Sequence, residues 1–165
     1  MELFQSQYDW IRRTREPLFT YCEGMSHADY VKEMEAFGGD SIRNLHVHIA
    51  TCYHFWLGTH GLGKTIAKTD PQDIKTVQDM RELFHKTDEI VEGFLRKYEG
   101  NWDHIIPYTL KSSGETLDFS ALWLFTHTIT HEFNHKGQMV KIGRQLGYIP
   151  PDTDLIAPEV NTCQS

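Results

Sequence analysis

Ser120–Gly147, SALWLFTHTITHEFNHKGQMVKIGRQLG, is the stretch on which the reading of the fold turns. Leu122, Phe125, Ile129, Phe133 and Val140 recur at three- and four-residue steps, which lays an apolar stripe along one face of a helix. The helix opens at Ser120, and Gly147 followed by Pro150 and Pro151 closes the segment. His127, His131 and His135 are spaced four apart, so they share one helix face, on the border of the apolar stripe. Adjacent rungs of this ladder lie about 6 Å apart along the axis and can chelate one ion, whereas the outer two, about 12 Å apart, cannot. At most two of the three serve one metal.

A second helix supplies what the ladder lacks. From Ser41 to about Gly58, Ile42, Leu45, Ile49, Cys52 and Trp56 form an unbroken stripe. His46 and His48 flank it on opposite sides and His54 points away; periodicity does not choose between the first two. One histidine from this helix and two from the ladder make three imidazole nitrogens with an open coordination position, the arrangement of catalytic rather than structural metal sites. Ten histidines in 165 residues fit such a role, since histidine is the commonest metal ligand. Glu132 projects near the apolar side of the last helix, where an unpaired carboxylate is costly. It has two readings: a buried pair with an arginine or tyrosine, or a proton-transfer role beside the metal, which makes it the one candidate catalytic residue. His127 and Gln138 are further candidates for touching the ligand histidines.

Elsewhere the pattern gives two more long helices. Leu3, Phe4, Tyr8, Ile11, Leu18 and Phe19 mark a helix from Glu2 to about Cys22, kinked or split at Pro17. Residues 26–40 read as a connection with a helical turn around Asp29–Met34. Ile74, Val77, Met80, Phe84, Val91, Phe94, Leu95 and Tyr98 mark a helix over Pro71–Tyr98, with Asp70 as cap. Between Asn101 and Asp118 the helical pattern fails, and the SSGE turn flanked by HIIPYTL and TLDFS reads as an irregular crossover or a small hairpin. The expected fold is all-α, a four-helix bundle with an irregular crossover between the third and fourth long helices. Its length predicts one domain over 1–165, with a poorly ordered tail after about residue 154.

A formal net charge of -7 argues against nucleic acid as a partner, because phosphate binding needs clustered Lys and Arg. Arg12, Arg13 and Arg15 are the densest basic group and read as a solvated helix face. No secretory signal or membrane span is visible, and three cysteines without metal-type spacing point to reduced thiols and a cytoplasmic location. Cys52 reads as core packing. Gly58–Thr65, GTHGLGKT, spells a phosphate-binding loop, but it follows a helix where such a loop must follow a buried strand. Its glycines read as a helix end and a loop.

Two segments, HIATCYHFW from His48 and HEFNHKGQMVKIGRQLGYIPPDTDL from His131, resemble the two signatures of the DinB/YfiT-like family. The resemblance spans most of the chain and implies a four-helix bundle with an internal three-histidine site. It places His48, His131 and His135 at the ligand positions, choosing His48 over His46, for one divalent ion such as zinc, nickel or another first-row metal. Lys136 stands where arginine is common in that family; the charge is kept but the planar fork is lost. The resemblance further implies a metal-dependent enzyme acting on a small molecule, such as an S-transferase using a low-molecular-weight thiol cosubstrate. The alternatives it leaves are a metal-dependent hydrolase and a non-enzymatic metal-binding stress-response protein whose bundle serves as a homodimer module.

Overall fold

The computed structural model describes residues 2–155 and is mostly helical, with a single two-stranded sheet among them. The first helical segment is two helices, α1 (Glu2–Arg13) and α2 (Arg15–Glu23). The chain breaks at Thr14, whose hydroxyl donates to the Ile11 carbonyl at 2.6 Å, and not at Pro17. Pro17 falls in the first turn of α2, where its missing N–H has no intrahelical partner to lose. The break turns Arg15 inward to 4% exposure, so the expected solvated basic face does not include it.

A short helix α3 (His27–Tyr30) and a 3-10 turn (Glu35–Phe37) lead through Gly38 and Gly39, both at positive φ, into α4 (Ile42–Tyr53). Ser41 caps α4 by accepting the Asn44 N–H at 3.1 Å. Rather than ending near Gly58, α4 passes directly into a π-helical segment, His54–Gly61. Gly58 lies so close to Ile66, and Gly61 so close to Phe94, that a Cβ at either would collide unless those side chains moved; Gly63 then turns at φ +70°. The glycines of GTHGLGKT therefore serve helix packing and a turn, downstream of a helix.

The next helix, α5 (Val77–Lys97), starts later than expected. Pro71–Asp73, capped by Asp70, is only a 3-10 turn, and a capping box at Thr76 and Asp79 opens the long helix. Where an irregular crossover was expected, β1 (Ile105–Thr109) pairs antiparallel with β2 (Thr116–Ser120), so the hairpin reading holds. Ile106 faces Phe119 across it and is the buried residue of β1.

The last helix, α6 (Ala121–Gln145), opens at Ser120, which accepts the Trp123 N–H at 3.1 Å. Its inner face keeps Phe125 and Ile129 of the expected stripe and extends over Leu124, Thr128, Glu132, Lys136, Met139 and Ile142, all buried, while Leu122 is 37% exposed. Helix α4 packs against both α5 and α6 around Leu45, Ile49, Tyr53, Met80, Phe94, Phe125 and Met139. Among the described residues no helix is long and apolar enough to cross a membrane. The expected loose tail falls on residues 156–165, which lie outside the described residues.

Candidate metal centre

Helices α4 and α6 run side by side in opposite directions, and their facing edges carry the histidines. His48 meets His131 and His135 with ring centroids 4.8 and 4.7 Å away, and the latter two stand 4.3 Å apart. One nitrogen of each ring lies within 4.8 Å of one from each of the others, so the three are able to hold a metal ion. Nitrogens around a zinc ion lie about 3.3 Å apart, given bonds of about 2.0–2.1 Å, so modest side-chain rotation closes the set.

Two further observations fit a cation there. His131 Nε2 is buried and has no hydrogen-bond partner, a costly state for a ring nitrogen unless a metal ion takes its lone pair. His135 Nδ1 lies 2.8 Å from Gln138 Oε1; that oxygen can only accept, so Nδ1 carries the proton and Nε2 keeps its lone pair. Burial, and next to it the neighbouring His135 and His48, push His131 down to about 4. Burial and His135 likewise lower His48. Both rings are therefore neutral near pH 7, as metal ligation requires.

The structure brings together all three residues the resemblance selected and sets His46 and His54 apart from them. His46 sits at 2% exposure, stacked on Phe19 at 5.5 Å with its Nδ1 3.4 Å from the Tyr30 hydroxyl, and burial pushes it down to about 3. His54, expected to point away, is buried with Nε2 3.0 Å from Thr87 Oγ1. His127 lies one turn below His131, its ring stacked parallel on Trp123 at 4.9 Å. Cys52 is buried, as expected of a packing residue, and burial raises its thiol to about 12. It also approaches His127 and His131.

Glu132 is wholly buried and both of its oxygens are occupied. Arg15 donates to them in bidentate fashion, Nε to Oε1 and Nη2 to Oε2, each at 2.8 Å. The Tyr53 hydroxyl donates to Oε2 at 2.7 Å, and Lys136 Nζ lies 2.7 Å from Oε1. Burial alone would raise the carboxyl; the charges of Arg15 and Lys136 overcome it and hold Glu132 well below the usual carboxylate range. Of the two readings of Glu132, its contacts are those of the buried pair with an arginine and a tyrosine. Lys136, whose partner the sequence left open, bonds both Glu132 and the Thr14 hydroxyl. Arg15 reaches on to Asp88 at 2.6 Å, and Tyr8 donates to the same carboxylate at 2.6 Å. One ionic network thus joins α1, α2, α4, α5 and α6 immediately behind His131, and fixes the rotation of α6 that presents the ladder.

Beside His48 and His135 opens a cavity of about 430 Å³, lined by Asp40, Asn44, Thr51, Lys68 and Thr69 among others. On the opposite side of the ladder, Trp56, Tyr108, Phe119 and Trp123 form an aromatic wall that ends at His127. The model of a protein family described as the DinB family matches residues 2–162, nearly the whole chain. No curated protein matches the sequence.

Proposed function

The chain belongs to the DinB family, and from that membership we propose that His48, His131 and His135 hold one divalent ion and that the protein is a metal-dependent enzyme joining a small thiol to an electrophile. The helices on this reading form the family's four-helix bundle, in one domain. The observation that carries the proposal is the convergence of three imidazoles from two helices, one of them His131 with a buried and unpartnered Nε2, beside an open cavity. A divalent ion bound there lowers the pKa of a thiol or water that coordinates it, which supplies a nucleophile at neutral pH.

The chain's own groups have definable parts. Gln138 fixes the tautomer and tilt of His135, as an outer hydrogen bond does for most metal-binding histidines. Glu132 is a positioning residue here: a carboxylate saturated by Arg15, Tyr53 and Lys136 has no lone pair or proton to trade at neutral pH. Asn44, Thr51, Lys68 and Thr69 suit a small polar cosubstrate, with Lys68 drawing an anionic group toward the cavity. The aromatic wall beyond the ladder suits an apolar electrophile.

The test is a metal analysis of the purified protein followed by a screen of low-molecular-weight thiols against electrophiles such as a chloro-dinitroarene or a bimane. The expected result is conjugation faster than the spontaneous reaction, lost in His131→Ala. Ester or amide hydrolysis that needs no thiol would replace transfer by hydrolysis with the same ligands. Metal without either activity would leave a binding protein.

A further inference from the structure

Cys52 stands four residues after His48 on α4, and His127 four residues before His131 on α6. Since the two helices are antiparallel, a step of one turn along both carries His48, His131 and His135 onto Cys52, His127 and His131, a displacement of about 6 Å. The second set is as well gathered as the first: one donor atom from each of Cys52, His127 and His131 lies within 4.8 Å of the others. Cys52 is 8% exposed and forms no disulfide. His127 is held in place by parallel stacking on Trp123, at 6° and 4.9 Å, and by Trp56 edge-on at 5.6 Å. Its ring borders His131 at 5.6 Å.

We propose that Cys52, His127 and His131 form a second metal seat, one thiolate and two imidazoles, which takes a soft ion such as cadmium or copper(I) and competes with the three-histidine set for His131. Binding forms a sulfur–metal bond and breaks the Cys52 S–H bond, the proton leaving to solvent; nothing is oxidised or reduced. The donor sets differ in softness. Thiolate favours soft ions, while three imidazoles suit nickel, cobalt and zinc, so the ion supplied decides which seat fills. Because both seats draw on His131, the chain takes one ion at a time. The inference rests on the registry of two helices and not on the reaction proposed above.

Cadmium titration read by difference ultraviolet absorption tests it, since thiolate-to-cadmium charge transfer appears only when sulfur is bound. The wild type, His48→Ala and His135→Ala should each develop the band and saturate at one cadmium per chain. Cys52→Ser should show no band, which also excludes Cys22 and Cys163 as its source, and His127→Ala should bind at least about tenfold more weakly. Far-ultraviolet circular dichroism establishes folding, and His127→Ala carries the test if Cys52→Ser does not fold. A band that persists in Cys52→Ser, or is missing from the wild type, overturns the proposal. So does a band lost in His48→Ala but kept in His127→Ala, which would make Cys52 a fourth ligand of the three-histidine set. Two cadmium ions per chain would overturn the sharing of His131. The three-histidine set is judged separately by nickel, so either seat can fail without the other.

Discussion

Gln138 and His46 show how differently two groups near the ladder act. Gln138 donates nothing to the set yet fixes which nitrogen of His135 is free, so Gln138→Ala should weaken metal affinity by about 10- to 100-fold without unfolding the protein. Isothermal titration with nickel measures this, and unchanged affinity would mean that the His135 ring is oriented by other contacts. His46 matters for stability instead. Its folded value of about 3 lies below the ordinary value of 6.5, with burial the main cause, Lys136 and Arg15 adding to it and Glu132 opposing. The unfolded chain therefore binds the extra proton. The stability gained from keeping the ring neutral is complete above about pH 6.5 and is lost as pH falls toward 3. Between pH 7 and 4.5 the loss is on the order of 2 kcal/mol. His46→Leu should flatten this part of the curve relative to wild type in urea unfolding. Parallel curves would show that His46 is not the titrating group.

Helix α6 depends on a polar seam at the scale of whole elements. Removing the charge of Glu132 leaves Lys136 buried without a counterion and Arg15 with Asp88 alone, so Glu132→Gln should cost about 3–5 kcal/mol of folding stability. Denaturant unfolding checks this, and a cost below about 1 kcal/mol would mean that the network is not holding α6. Lys64→Ala, in contrast, should leave metal binding and any activity intact, because the segment that spells a phosphate loop begins inside a π-helix and follows no strand. Saturable magnesium-dependent ATP binding that this variant loses would contradict it.

The same elements explain what the sequence made legible. The 127–131–135 ladder could be read directly because the α-helical repeat alone puts those residues on one face. The partner histidine on α4 could not be chosen by periodicity, since His46 and His48 flank one stripe and only the packing of Phe19, Phe84 and Tyr30 shows that His46 is core. The burial of His54 was missed because the wider π repeat, not an α-helix, begins there. Arg15 looked solvated because helices were read as if Pro17 marked the break; with the break at Thr14 its guanidinium points to Glu132 from 117 residues away, a pairing no local pattern encodes. Glu132 was legible as a group on the apolar side in need of a partner, but which partner, and the burial of Lys136 beside it, depend on Arg15 and Thr14 from a distant helix end.

For the molecule as a whole, an ion bound only by the folded state stabilises it by mass action. At a free concentration a hundredfold above the dissociation constant this amounts to about 2.7 kcal/mol, or a rise of about 5–10 °C in Tm for a chain of this size. Removing metal with a chelator should lower the Tm by that amount, and adding zinc or nickel should restore it; a Tm indifferent to both would mean that the helices assemble without help from the site. The central claim, that His48, His131 and His135 form one centre, is tested most directly by calorimetric titration with nickel, which suits imidazole and so reports the three-histidine set. The wild type and His46→Ala should bind one nickel per chain with equal affinity, and His48→Ala, His131→Ala and His135→Ala should each bind at least about 100-fold more weakly, since each loses one of three ligands. Wild-type affinity retained in His48→Ala and His135→Ala would contradict the account.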